Sequence, residues 1–408
     1  MHTKEERIRN ALWGLFIGDA LAMPAHWYYN LENIKRDFNG GVVDYEDALH
    51  PHPESFMVGV DYFPNIHNQR PFNITGRYSR FYNTNYSEMK IALESQEHEH
   101  GNATPKLEER YHYHHGLKAG ENTLGAQLVR VLMRSVSENG SYSDAHFIND
   151  FIAYLTSDSS NDPYTEIYIR RFFEHYTNGA SPMNAAELQS NTWSIGSHGG
   201  LIRPLVLSLL YDDPVEALGI AIEHQNLTHR SQNVASSLSV LLPLLHRLTD
   251  TQKPLDAFVN AGSKLHLPTI QGEALFELYR KYNGPGNIPK EMMFRLHTTF
   301  QKEPFDLKAF MQEHQESEVV RTLLANACYT EHGVPLLLYL CVQHNFDLKD
   351  ALLANVNAGG DNVHRGMIMG LLLGACSERV DDNLKKGLVD YEELNQEIEA
   401  FVQIQSLV

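Results

Sequence analysis

The sequence predicts an all-α fold: a single compact multi-helix domain over residues 1–408, with an irregular insertion at 27–109. Three observations lead there. Apolar residues recur with the 3.6-residue period of amphipathic helices in segment after segment. Strand-like alternation is scarce outside the insertion. Two segments place small residues at every fourth position, Gly14, Gly18 and Ala22 in one and Gly366, Gly370 and Gly374 in the other. Such faces admit another backbone at close range, either each other's or that of a third element.

In chain order, residues 4–22 read as a helix with Ile8, Ala11, Leu12, Leu15 and Phe16 inward. From Trp27 to Glu109 the texture changes to aromatics, asparagines, prolines and histidines, with breakers at Asn39-Gly40-Gly41, Pro51-His52-Pro53 and Gly101-Asn102. Histidines gather at His50 and His52, at His98 and His100, and at His112, His114 and His115. That density suggests a zinc site of the insertion's own, although no cysteine or aspartate flanks them, and surface histidines are more often incidental. Tyr28, Tyr29, His112, His114 and His115 border the polar motifs described below, so the insertion is expected to line a pocket. A helix follows over 121–138, carried by Leu124, Leu128, Val131 and Leu132 and stopped at Asn139-Gly140. Further helices are predicted at 144–155, 163–177, 201–210, 213–225, 230–249, 254–263, 271–283, 317–328, 333–343, 347–355, 363–376 and 390–405, with neither repeat nor low-complexity linker.

Composition bounds the function. With 42% hydrophobic residues a sizeable core is available, and a formal charge of −18 argues against nucleic acid or an anionic membrane as partner. An anionic ligand would need a local site. Cys328, Cys341 and Cys376 lie far apart in apolar helical context and read as core thiols of a reducing cytoplasm, not as a disulfide or a zinc site. The N-terminus has no signal-peptide pattern, and no apolar run reaches the roughly 18 residues of a membrane span. The acceptor triplets at Asn73, Asn85 and Asn226 are then chance matches. Oligomeric state is not encoded in any of these features.

Polar knots interrupt the apolar texture near predicted helix ends: Gly18-Asp19-Ala20-Leu21 with His26, Gly120-Glu121-Asn122-Thr123, Ser197-His198-Gly199-Gly200 with Arg203, Leu227-Thr228-His229-Arg230, and Gly359-Gly360-Asp361-Asn362-Val363-His364-Arg365. Helix ends that converge would form a polar pocket, with unpaired N–H groups that favour anions. Asp361 or Asn362 could equally be no more than an N-cap.

The order and spacing of these knots resemble the ADP-ribosylglycohydrolase family, which includes the J-type crystallins. Gly18-Asp19-Ala20-Leu21-Ala22-Met23-Pro24 resembles its Gly-Asp-Ala-Leu-Gly-x-Pro signature, and Gly120-Glu121-Asn122-Thr123 stands where the family has Thr-Asp-Asp-Thr. His198-Gly199-Gly200-Leu201-Ile202-Arg203 is similar to Asn-Gly-x-x-Met-Arg, Leu227-Thr228-His229 to Leu-Thr-His, and Gly359 to His364 to Gly-Gly-Asp-Thr-Asp-Thr. The match covers about 5–26 and 116–378. It implies an all-α fold, a binuclear magnesium site on the second and last motifs, and hydrolysis of a bond to ADP-ribose, with the metal positioning ribose hydroxyls and water.

This chain departs from that pattern. His26 replaces the glutamate after the first motif, Gly120 a threonine, Asn122 an aspartate, and Val363 and His364 the second aspartate and last threonine. Glu121 and Asp361 are the acidic residues left in the ligand motifs, too little charge for a full binuclear magnesium site. The expectation is one divalent metal, magnesium or manganese ahead of zinc, or none; His26 and His364 tilt the choice to a softer ion. Candidate metal ligands are Glu121, Asn122, Asp361 and His364. Candidate catalytic groups are Asp361, Glu121 and His26, the histidine as an acid or base near neutral pH. Asp19, Asn122, Thr123, His198, Gly199, His229, Asn362, His364 and Arg365 are candidate ligand contacts, and Arg365 and Lys118 could meet a phosphate or carboxylate. His26 and Arg365 could instead be a buried bonded histidine and a salt-bridged arginine. The leading reading is a hydrolase cleaving a glycosidic or related bond in a ribosyl, nucleotide-like or other small polar substrate at a remodelled site. The alternative is a non-catalytic, J-crystallin-like structural or ligand-binding protein.

Overall fold

The computed structural model describes residues 3–54, 70–71, 111–157, 162–250, 253–268, 270–282, 288–289, 291–292 and 301–405. Within them run helices α1 (Lys4–Ala22), α2 (Leu31–Asp37), α3 (Leu124–Asn139), α4 (Asp144–Leu155), α5 (Ile167–Thr177) and α6 (Gly199–Ser208). The chain continues through α7 (Pro214–Asn226), α8 (Gln232–Asp250), α9 (Pro254–Gly262), α10 (Gly272–Lys281), α11 (Leu307–Glu313) and α12 (Glu316–Val319). It ends with α13 (Thr330–Gln343), α14 (Leu348–Asn357), α15 (Asn362–Cys376), α16 (Asp382–Lys386) and α17 (Tyr391–Gln405). Extended pairing among the described residues is minor: β1 (Glu187–Leu188) is parallel to β2 (His229–Arg230), and β3 (His266–Pro268) antiparallel to β4 (Gln301–Pro304). The all-α expectation holds.

The axis of the fold is the antiparallel pair α1 and α15. Thr3 starts α1 with a capping box, its hydroxyl accepting the Glu6 N–H while the Glu6 carboxylate accepts the Thr3 N–H. A Cβ added to Gly14 would fall 2.0 Å from Gly370 O, one on Gly18 2.2 Å from Gly366 O, and one on Gly374 2.1 Å from Asn10 O. The two small-residue faces therefore meet each other backbone to backbone, the first of the two options the sequence left open. Every residue from Ala11 to Ala22 and from Asn362 to Ala375 is buried, so both helices are wrapped on all sides. α14 and α13 pack beside α15, and α17 beside α1, enclosing one large hydrophobic core. Buried Arg7 donates to Ala375 O at 2.9 Å and so satisfies a carbonyl at the C-terminus of α15.

Two differences from the sequence reading bear on the site. The predicted helix over 317–328 is helical only in α12; beyond it Arg321 adopts φ 74° and the chain runs irregularly to Tyr329. The reason is tertiary: Asn326 O accepts from Asp361 N–H (2.8 Å), Cys328 O from His198 N–H (3.0 Å) and Leu323 O from Gly272 N–H (3.0 Å), bonds that a helix would have used internally. Likewise 163–166, predicted within a helix, are not helical, and the segment from 162 brings Asp162, Tyr164 and Glu166 inward ahead of α5. The described part of the insertion, 27–54 and 70–71, contains α2, which the sequence did not announce; most of the insertion, with His98 and His100, lies outside the described residues.

Candidate active site

The turn into α15 is set by Gly359 and Gly360, both in the left-handed region (φ 62° and 66°). A Cβ on Gly360 would lie 1.9 Å from Asn326 O. Trp27 N–H donates to Gly360 O (2.9 Å) and Gly360 N–H to Tyr28 O (2.7 Å), which fastens the segment after α1 to this turn. Asp361 then occupies the N-cap position, but its carboxylate makes no capping bond. It faces three imidazoles instead. His364 Nδ1 is 2.6 Å and His26 Nε2 3.2 Å from Oδ1, and His198 Nδ1 is 3.0 Å from Oδ2.

The contacts extend outward in both directions. His364 Nε2 lies 3.2 Å from Glu166 Oε1, while His26 Nδ1 lies 2.6 Å from His114 Nε2, whose Nδ1 in turn meets Asp162 Oδ2 at 2.9 Å. Asp162 also accepts the Leu124 N–H at 2.7 Å, an anion at the start of α3. A continuous array of three carboxylates and three imidazoles thus runs Asp162, His114, His26, Asp361, His364, Glu166, with His198 as a branch. Because ionised carboxylates only accept, His364 must present both ring N–H groups, one to Asp361 and one to Glu166, and is an imidazolium.

Electrostatics agree. Burial would raise the Asp361 carboxyl, but the His364 charge and the bonds from His198, His26 and His364 outweigh it and hold the group well below the usual range. Burial opposes a charged His364, yet Asp361 and Glu166 outweigh that too, so its pKa stands well above that of an ordinary histidine. Burial pulls His26 well below, more than its bond to Asp361 restores, and lowers His198 as well. Within the array the charged form is thus favoured at His364 and disfavoured by burial at His26 and His198.

The other expected site residues are placed differently. Asp19 accepts from Thr123 N–H (2.7 Å), Thr123 Oγ1–H (2.6 Å) and Asn122 Nδ2–H (2.9 Å), a closed joint between α1 and the start of α3. Glu121 lies on the loop before α3, its Oε2 accepting the Lys118 N–H at 2.6 Å, and is not among the groups that meet at Asp361. Gly199 packs against Glu166; a Cβ there would sit 2.8 Å from Oε2. His229 accepts or donates at Nδ1 with Thr228 Oγ1 (2.8 Å) and packs against the Tyr168 ring. Asn362 donates to Val356 O (3.1 Å), and Arg365, fully buried, donates to Asn355 Oδ1 (2.7 Å) and Gly359 O (2.8 Å); both brace the α14–α15 turn. Lys118 pairs with Asp47 on the surface. In the described part of the histidine-rich segments, His52 and His112 each fill both ring nitrogens with backbone groups, His52 Nε2 meeting His26 O at 3.0 Å and His112 Nε2 Pro24 O at 3.0 Å.

Sequence reasoning missed Glu166 and Asp162 and did not rank His114 as a site residue. Asp162-Pro163 ahead of a helical pattern was a usable signal for a non-helical start; Glu166 had none.

His26, Asp361 and His364 offer ligand atoms within 4.8 Å of one another and could hold one metal ion. Two nitrogens and one oxygen suit a borderline ion. They do not fit a pair of magnesium ions: Asp361 is the one carboxylate there, its oxygens already face three imidazoles, Val363 is apolar, and Asn122 and Thr123 are turned to Asp19.

The chain belongs to the ADP-ribosylglycohydrolase family, whose model matches residues 1–407. A solved structure described as an ADP-ribosylglycohydrolase-related protein complex is similar in fold, with TM-score 0.54 and 14% identity over 99% of this chain and 100% of that one. No curated protein matches the chain. The family is one of hydrolases, typically metal-dependent. Among the described residues no helix is long and apolar enough to cross a membrane.

Proposed function

We propose that this chain is a hydrolase that cleaves a glycosidic or related bond in a ribosyl or other small polar substrate, with proton transfer handled by the imidazole–carboxylate array. The observation that carries the reading is His364, held protonated between Asp361 and Glu166. Glycoside cleavage needs an acid for the leaving group and a base for water. Glu166 is the array member with the most exposed side chain, at 13%, and is the group placed to meet water or a leaving atom. His364 gives its proton through Glu166 to the leaving atom, Glu166 then takes the proton released by the attacking water and returns it to His364, Asp361 holds the ring in place, and His26 with His114 and Asp162 buffers the charge behind it. An ion at His26, Asp361 and His364 would require His364 to give up a ring proton and would then supply Lewis acidity to a bound oxygen in place of that proton. Glu121 takes no part.

The test is turnover of a panel of ADP-ribosyl, nucleotide and riboside compounds, with and without a chelator. Hydrolysis that survives the chelator and is lost in Asp361→Ala is the expected result; unchanged binding and turnover in Asp361→Ala would overturn the reading.

A second reading has its own support. Asp361, His26 and His198 are fully buried and both histidines are bonded to Asp361, as in a structural polar core. Elemental analysis without metal, a thermal-shift screen without a stabilising ADP-ribose, nucleotide or sugar, and no turnover would favour a non-catalytic protein.

A further inference from the structure

Three helices begin at the candidate site, and each start already faces a carboxylate of the chain itself. Asp361 sits at the N-terminus of α15, and Asp162 accepts the Leu124 N–H (2.7 Å) at the start of α3. Glu166 lies against Gly199, the first residue of α6, where a Cβ would be 2.8 Å from its Oε2. Helix starts are where ligand phosphates are commonly held. At α6 the first N–H groups are also used internally, Gly200 N–H by Ser197 O (3.2 Å) and Leu201 N–H by His198 O (2.9 Å).

No basic side chain offsets these acids. Among the described residues the ion-pair partners of Asp361 and Glu166 are imidazoles, and no lysine or arginine nitrogen reaches either. The two carboxylates share one charged ring, that of His364. Lys118 is paired with Asp47 at the surface. Arg365 is buried and braced on Asn355 Oδ1 and Gly359 O, and Arg203 is buried and turned to Tyr168 Oη (3.0 Å) and Thr228 Oγ1 (2.7 Å). A phosphate arriving at Glu166 would meet fixed negative charge, and juxtaposed like charges exclude a ligand strongly.

Beside the acids the chain offers aromatic surface. Trp27 stacks on His26 with ring centroids 4.5 Å apart, and the Tyr29 and Tyr113 rings lie 6.1 Å from it. Trp27 and Tyr29 keep part of their surface accessible. Trp27 adopts φ 65°, in the left-handed region, while its N–H is bonded to Gly360 O; such strain in a bulky residue is typical of functional positions. Its indole Nε1–H is buried and meets no acceptor among the described residues. The ring supplies an apolar plane and one unmet donor.

We propose, resting on the hydrolase reading above, that the substrate is an uncharged N-riboside of a planar heterocyclic base, a nucleoside without phosphate. Trp27 is its positioning residue, through ring contact and an Nε1–H bond to a ring nitrogen or carbonyl oxygen of the base. In the reaction the oxygen of water bonds to C1′ and the C1′–N bond breaks with its electron pair on the base nitrogen. One proton of the water ends on that nitrogen, so riboside and water give ribose and free base.

Adenosine, inosine and uridine, each paired with its own 5′-monophosphate, isolate the effect of charge. Each compound, and ADP-ribose, is titrated by tryptophan fluorescence at about 0.15 M salt, which screens diffuse repulsion, and assayed for release of reducing sugar with a chelator present. At least one nucleoside is expected to bind about tenfold or more tighter than its monophosphate and than ADP-ribose, and Glu166→Gln should narrow that preference. Trp27→Phe should remove the fluorescence change and raise KM with little loss of kcat. No nucleoside bound, a monophosphate or ADP-ribose bound as tightly, or unchanged KM in Trp27→Phe would overturn the proposal; sugar released from ADP-ribose in those cases would leave the hydrolase reading standing. Nucleoside binding with the expected preference but no sugar release would uphold the ligand class and count against hydrolysis instead.

Discussion

Asp19 and Asp361 are both fully buried and both sit beside the α1–α15 axis, yet their surroundings give them opposite character. Asp361 is met by three imidazoles, one of them charged, and its carboxyl is held well below the usual range. Asp19 is met by a threonine, an asparagine and a backbone N–H; burial outweighs those neutral donors and raises its carboxyl. The lesson is that neutral donors do not offset the upward pull of burial on a carboxyl, whereas a neighbouring positive charge reverses it. One aspartate is a centre of proton chemistry and the other a joint.

The largest effect that sharpens this contrast is removal of the charge. Asp361→Asn leaves the His364 imidazolium without its main partner and should lower stability by about 3–5 kcal/mol. Asp19→Asn removes one neutral-type acceptor and should cost about 1–3 kcal/mol. Urea unfolding at pH 7 measures both, and equal costs would break the distinction.

Next comes acid. His52, His112 and His224 are buried neutral, with burial the first cause of their lowered pKa values, His52 to about 4. The unfolded chain binds these protons from about pH 6.5 downward while the fold does not, so stability falls as pH drops from about 6.5 toward 4, by on the order of 3 kcal/mol for His52 alone. Asp361 behaves otherwise. Its contribution is present above the ordinary carboxylate pKa and is lost only as pH falls through its own lower value. Unfolding free energies from pH 7 to 4.5 should therefore slope downward, and His52→Asn should flatten the slope.

A geometric test has a smaller effect. Gly370→Ala would drive a Cβ to 1.9 Å from Gly14 O, parting the helices that place both aspartates, at about 1–3 kcal/mol. Gly219→Ala on α7, where a Cβ meets nothing within 4 Å, should instead stabilise by up to about 1 kcal/mol. Melting temperatures of the two variants should move in opposite directions.

The smallest shift concerns His364. Its pKa is raised, so the stabilisation it brings is complete below about pH 6.5 and is lost as pH rises through the higher folded value. Glu166→Gln removes one of the raising charges and should bring the alkaline loss of stability, and of any turnover, to lower pH by about one unit. An unmoved alkaline limb would mean that Asp361 alone holds the proton.

Local pattern carried much of this molecule. The spacing of Gly14 and Gly18, and of Gly366, Gly370 and Gly374, marked two helices that let a backbone come close, because a 3.6-residue period puts every fourth residue on one face. The polar knots were visible for the same reason, as departures from apolar periodicity. Which partners those knots would meet was not a local matter. His26 and Asp361 stand 335 positions apart, and their contact depends on how α1 and α15 cross. Glu166 joined the site because the segment before α5 stays out of the helix, and Asn326 because its backbone carbonyl accepts from Asp361 N–H while its side-chain amide donates to Ala358 O. Glu121 and Asn122, read as ligands of the centre, instead face Lys118 and Asp19.

The sequence by itself determined most of the helices, the family motifs and the loss of the acids that a magnesium pair would need, since each is written in residue type and short-range spacing. Only the tertiary structure decided which buried aspartate received imidazoles and which received an amide and a hydroxyl. The charge of a buried carboxylate is set by what lies within a few ångströms of it in space, and chain order does not specify that distance.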